Sequence, residues 1–90
     1  MSIMRAKQDE CYICRKYGVL EKHHVWHGTA NRKLSEQDGL YVWLCRDCHR
    51  NLHDKGEHDL ELMQIGQLYW QMVYKLPKED FIKRYGKSVV

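Results

Sequence analysis

Two cysteine pairs, Cys11-x-x-Cys14 and Cys45-x-x-Cys48, stand 30 residues apart in a chain of 90. Each pair fits a tight turn that points both sulfurs one way, and two such turns close a tetrahedral four-thiolate zinc site. A chain this short buries only about 60% of the surface it exposes when unfolded, so a core alone is marginal. Bound zinc adds folding energy directly. The alternatives fit less well. A redox CxxC needs a strand–helix–strand setting, which is missing here. A finger built from Cys11, Cys14, His23 and His27 has a spacer of 8 residues where about 12 is usual, and it strands Cys45 and Cys48. The opening residues 1–7 contain no apolar h-region, so a cytoplasmic setting is expected. Disulfides are rare there. The reading is one structural Zn²⁺ held by all four cysteines, a closed site with an architectural role.

The rest of the chain is organised around that knot. Residues 1–10 are polar and read as a frayed lead-in. Val19 to Trp26 mixes β-branched, aromatic and histidine residues and reads as a strand. Gly28 to Gly39 is polar with glycine at both ends, and reads as an extended loop with at most one helical turn around Leu34–Gln37. Leu40 to Leu44 is an apolar run that fits a second, buried strand, and the residues from Cys48 to Asp54 favour a helix ended by Lys55-Gly56. Leu62, Ile65, Leu68, Tyr69, Met72, Val73 and Leu76 recur as one stripe of a helix over 59–75. Pro77 starts a second helix with Phe81, Ile82 and Tyr85 on its apolar face, and Gly86 stops it. These two helices brace the finger or dock a partner. Trp26, Trp43 and Trp70 are assigned to the core. The organisation is a single domain, 1–90, with a core over 11–54 and a helical brace over 59–86. No apolar run approaches the roughly 18 residues that cross a bilayer, so no membrane is expected as a partner.

All six histidines lie between His23 and His58. His49 and His53 are one helical turn apart and share a face, a good bidentate metal arrangement. Cys48 is rotated about 100° from His49 on the same helix and is free to serve the zinc. The zinc knot ties the turn at 11–14 to the turn at 45–48. The strand carrying His23 and His24 leaves the first turn and the helix carrying His49 and His53 leaves the second, so the knot brings the four histidines within reach of one another. In an ideal strand His23 and His24 point to opposite faces, and both approach one metal only at the strand's end or at a kink. His27 is a candidate for a phosphate or loop contact, and His58 reads as surface.

The order Cys-x-x-Cys, His-His-hydrophobic, apolar strand, Cys-x-x-Cys-His-x-x-x-His resembles the HNH endonucleases, in the zinc-ribboned form with two CxxC pairs found in bacteria and their phages. The similarity spans roughly residues 11–54. It implies a ββα-metal fold and hydrolysis of DNA phosphodiesters with one divalent metal, in a bacterial or phage-infected cytoplasm. It also implies roles. His23 falls on a metal ligand, His24 on the general base, and His49 and His53 on metal ligands. The family usually carries Asn at the start of the second strand, where it shapes the loop and positions the base. Leu40 stands there in this chain, with Asp38 and Asn31 the nearest substitutes.

The implied chemistry is physically consistent. A water attacking phosphorus needs a base that titrates near neutrality, as histidine does. A cation held by three imidazoles keeps open positions for phosphate oxygens. Such a set suits Zn, Ni, Mn or Co better than Mg, which prefers oxygen ligands. Net charge is +3 with an isoelectric point near 8.7, which permits nucleic-acid binding without establishing it. Arg32 and Lys33 in the long loop, Arg46 and Arg50 at i, i+4 on the metal helix, and Lys55 at its end are candidate phosphate contacts, or else a solvated face. The expected molecule is therefore α+β: a small zinc-stabilised ββα-metal finger followed by two C-terminal helices. It carries a second divalent metal (Mg, Mn, Ni or Zn) at the histidines and has DNA as its partner. The competing class is a non-catalytic zinc module that binds nucleic acid or protein.

Overall fold

The computed structural model describes all residues, 1–90. Strand β1 (Leu20–His24) pairs antiparallel with β2 (Tyr41–Cys45), with Leu20 opposite Cys45 and His24 opposite Tyr41. Helix α1 (Thr29–Asp38) lies between the strands, and α2 (Arg46–Lys55) follows β2 directly. Two helices, α3 (Asp59–Tyr74) and α4 (Lys78–Tyr85), complete an α+β fold of one two-stranded sheet and four helices. None is long and apolar enough to cross a membrane.

Alternation along β1 decides which helix each of its side chains meets. Glu21 and His23 share one face and meet α2, while Lys22 and His24 share the other and meet α1. Val42 and Leu44 are fully buried in β2, so the sheet's inner face seals the core. Trp43 points outward, only half-buried beside Tyr41, contrary to its assignment to the core. Trp26, just past β1, is at the centre of an aromatic cluster. Its ring centroid lies 4.9 Å from Phe81 and 5.5 Å from Tyr85, and its Nε1–H donates to the Met63 carbonyl at 3.0 Å.

Three further sequence-based expectations are corrected. The segment from Gly28 to Gly39 is not an extended loop but a ten-residue helix, α1. Its inward positions, Asn31, Leu34, Ser35 and Asp38, have helical spacing, but three of the four are polar, so no apolar stripe announces the helix. Ser35 Oγ donates to the Trp26 carbonyl at 2.7 Å, and Asp38 accepts from Trp70, Arg84 and Tyr85. Residues 2–4 are not frayed. Ile3 N–H donates to the Gly39 carbonyl at 2.9 Å, Ser2 Oγ to that of Tyr41 at 2.7 Å, and Met4 is fully buried.

The third correction concerns α3. The helix is present, but its buried face is Leu62, Gly66, Gln67 and Trp70. Of the seven-residue stripe read from periodicity, Leu62 alone is buried, while Ile65, Leu68, Met72, Val73 and Leu76 face solvent. Gly66 lets α3 cross close over the chain leaving β1, where a Cβ would come 3.3 Å from Val25 Cγ1. Gln67 replaces an apolar residue because its amide pins the C-terminal tail, donating to Ser88 Oγ at 2.8 Å and accepting from Val89 N–H at 2.9 Å.

Candidate functional site

The two cysteine pairs come together at one end of the hairpin, and all four Sγ atoms lie within 4.8 Å of one another. Cys14 Sγ and Cys45 Sγ are 3.7 Å apart. Two ligands about 2.3 Å from a tetrahedral zinc are separated by about 3.8 Å. Each pair is a knuckle in which the second residue's N–H points at the first sulfur: Cys14 to Cys11 at 3.5 Å and Cys48 to Cys45 at 3.5 Å. The first knuckle is tied to β2 by Tyr12 N–H donating to the Trp43 carbonyl at 2.9 Å. Burial alone pushes the Cys11 thiol up, but the N–H groups of Cys14, Cys45 and Ile13 outweigh it and bring it down to about 6. A sulfur that readily becomes a thiolate inside a four-sulfur cluster fits a structural zinc.

A second cluster lies where β1 meets α2. The ligating nitrogens of His23, His49 and His53 lie within 4.8 Å of one another. Ring centroids are 5.1 Å apart for His23–His49, 5.4 Å for His23–His53 and 4.7 Å for His49–His53. His49 Nε2 is 3.1 Å from His53 Nε2, the helical i, i+4 pair expected from sequence. Glu21 Oε1 meets His49 Nδ1 at 2.8 Å. An ionised carboxylate only accepts, so Nδ1 carries the proton and the Nε2 lone pair turns to the cluster. His23 is 3% exposed, and its Nε2 is buried with no hydrogen-bond partner. Burial, followed by the neighbouring His49, His53, His27 and His24, brings its pKa down to about 3. It is therefore neutral at physiological pH. Three imidazoles this close, one of them buried and neutral, could hold a divalent cation.

These three histidines line a cavity of about 550 Å³ that has no hydrophobic lining residue. His24 lines it too, although its side chain leaves the opposite face of β1 from His23. The strand ends at His24, and the cavity wraps around that end. His24 Nε2 is 2.7 Å from Glu36 Oε1 on α1. His27 also lines the cavity and is held by Asp59 at the start of α3, 3.0 Å from Oδ1. Arg32 reaches the same wall from α1, beside the N-cap Gly28 and the helix's first residue Thr29. No side chain caps that N-terminus and no acid occupies its first turn, which leaves the positive end of the helix dipole uncompensated at that wall.

Of the basic residues singled out in the sequence, Arg32 alone lines the cavity. Lys33, Arg46, Arg50 and Lys55 are exposed elsewhere, and Arg50 pairs with Asp47 at 3.2 Å. Asp38 and Asn31 do not take the place of the missing Asn. Asp38 is committed to Trp70, Arg84 and Tyr85, and Asn31 donates to the Tyr85 carbonyl at 3.2 Å. Leu40 is fully buried and holds the hairpin through its backbone, accepting from Val25 N–H at 3.0 Å. The hydroxyl of Ser35 fastens the start of the loop at Trp26 instead. Sequence reading missed Lys22, which lines the cavity, and the carboxylates Glu21, Glu36 and Asp59 behind the histidines. Glu21 carried a usable signal, standing two residues before His23 on the same strand face. Glu36 and Asp59 carried none, because each meets its histidine across the fold. No protein-family model, curated protein or solved structure matches the chain.

Proposed function

We propose that the chain is an HNH-type endonuclease that hydrolyses DNA phosphodiester bonds, with zinc in the cysteine knot and one divalent cation at the histidines. The observation that carries this reading is the buried His23, its Nε2 without a hydrogen-bond partner and a ring nitrogen within 4.8 Å of those of His49 and His53, in a cavity that His24 and Arg32 also line. A divalent cation held by His23, His49 and His53 would supply Lewis-acid stabilisation of the charge that builds on the phosphate and on the leaving O3′. Arg32 and the N-terminus of α1 attract the phosphate to that wall of the cavity. His24 takes a proton from water as the oxygen bonds to phosphorus. The P–O3′ bond breaks, the O3′ takes a proton from solvent, and His24 returns its own proton to solvent. The products are a 5′-phosphate and a 3′-hydroxyl. Binding through phosphate contacts with few base-reading groups predicts cleavage that tolerates sequence and weakens with salt.

Leu40, in place of the usual Asn, favours a second reading, a zinc module that binds without turnover. Nicking of supercoiled plasmid with Mn²⁺, Ni²⁺ or Mg²⁺ separates the two. The nuclease reading expects the wild type to nick and His24→Ala, still folded and zinc-loaded, to lose about 100- to 10,000-fold. A wild type that nicks with none of these metals establishes the module in its place.

A further inference from the structure

Glu36 sits on α1, in the segment that reads as loop, yet its Oε1 is 2.7 Å from His24 Nε2. Its carboxylate also meets Lys22 Nζ, at 3.2 Å from Oε1 and 3.3 Å from Oε2. The ammonium of Lys22 lies 4.2 Å from the centroid of the Tyr41 ring, so it is anchored on both sides. These hydrogen bonds, first from His24 and then from Lys22, hold the Glu36 carboxyl below its usual range. An ionised carboxylate accepts and never donates, so the imidazole nitrogen against it must carry the hydrogen. The other nitrogen, Nδ1, is left with its lone pair.

We infer that Glu36 is the positioning residue of the site: it holds His24 as the Nε2–H tautomer, with Nδ1 turned out as the proton acceptor. The inference rests on the nuclease reading for its catalytic consequence, but the tautomer itself can be measured without turnover. Helix α1 thereby gains a role. It carries Arg32 to the phosphate wall and Glu36 to the base, two contacts one helical turn apart.

Lys22 makes the test sharp. Oε1 faces both His24 and Lys22, and Lys22 only donates, so in Glu36→Gln the amide oxygen takes the Oε1 place and still accepts from Nε2–H. Glu36→Ala removes the acceptor and leaves the two tautomers mixed. Rescue of the tautomer by the isosteric variant is what separates positioning from a purely electrostatic role of the carboxylate charge.

The experiment measures ring nitrogen shifts of His24 by long-range ¹H–¹⁵N correlation at pH 8, in the zinc-loaded wild type, Glu36→Gln and Glu36→Ala. Plasmid nicking and Ni²⁺ titration of the same samples accompany it. Expected are an Nε2–H tautomer in the wild type and the glutamine variant, and a mixture in the alanine variant. The turnover number should fall roughly 10- to 100-fold in Glu36→Ala, and less in Glu36→Gln, with KM little changed. Nickel affinity should be the same in all three. An Nδ1–H tautomer in the wild type, an unchanged tautomer in Glu36→Ala, an alanine variant more active than the glutamine variant, or loss of nickel binding overturns the inference. A wild type that does not nick while the tautomer is still lost in Glu36→Ala overturns the nuclease reading and supports the Glu36–His24 pair.

Discussion

Asp38 accepts four hydrogen bonds in the half-buried seam between α1 and the C-terminal helices. They come from Trp70 Nε1 at 2.9 Å, Tyr85 OH at 2.7 Å, and Arg84 Nε and Nη2 at 2.6 and 2.8 Å. Removing the carboxylate leaves buried donors without acceptors, so Asp38→Ala should cost about 2–4 kcal/mol in urea unfolding. Burial opposes ionisation of Asp38, but the Arg84, Tyr85 and Trp70 hydrogen bonds outweigh it and hold its pKa below the ordinary 3.8. The unfolded state therefore binds more protons than the folded one around that pH, and stability rises with pH there. The gap between wild type and Asp38→Ala should stay constant down to about pH 5 and shrink below about pH 4 as the folded-state pKa is crossed. Glu21 acts at the same scale on the proposed metal site. Glu21→Ala frees His49 to rotate and to change tautomer, and should weaken Ni²⁺ or Mn²⁺ binding about 10- to 100-fold while the zinc stays bound. Calorimetric titration of wild type and Glu21→Ala reads this directly. At residue scale His49 and His53 were legible, because helical geometry puts i and i+4 on one face.

At the scale of elements, α3 and α1 differ instructively. Apolar spacing is enough to identify α3 as a helix, but it picks the wrong face. Trp70 is 4% exposed and packs 5.2 Å from Phe81, while Leu68 is 54% and Met72 61% exposed. Trp70→Ala should therefore cost about 3–5 kcal/mol, whereas Leu68→Lys and Met72→Lys should each stay within about 0.5 kcal/mol of wild type. A larger loss at Leu68 or Met72 would mean that face is covered. Helix α1 shows the opposite problem: a polar inward face hides a real helix. Its end is legible after the fact in Gly39, at φ 83°, where a Cβ would stand 2.5 Å from the Met1 carbonyl oxygen. Gly39→Ala should cost about 1–3 kcal/mol through backbone strain and displacement of the N-terminal segment, measured as a drop in Tm with zinc bound.

At the scale of the whole molecule, 19 of 90 residues are buried, a small core that leans on the cysteine knot. Native mass spectrometry should find one zinc retained after exhaustive dialysis. Stripping it with a strong chelator, or the change Cys45→Ser, should abolish cooperative unfolding and weaken metal binding at the histidines as well. The two sites are expected to be coupled because β2 and α2 are continuous through Cys45: its sulfur belongs to the cysteine cluster, and it caps the helix that carries His49 and His53. A zinc-free protein with a sharp thermal transition would disprove that dependence.

The amino-acid sequence by itself determined the four-cysteine cluster, the pairing of His49 with His53, and the existence of α2, α3, α4 and both strands. All of these follow from spacing along one chain segment, which local geometry converts directly into position. Only the tertiary structure decided which face of α3 is buried, that Thr29–Asp38 is a helix, and that Glu21, Glu36 and Asp59 stand behind the histidines. Those outcomes depend on contacts between segments distant in sequence, such as the separation of 12 positions from His24 to Glu36 or of 32 from His27 to Asp59. Burial and hydrogen bonding across such separations are set by packing, and no local period records them.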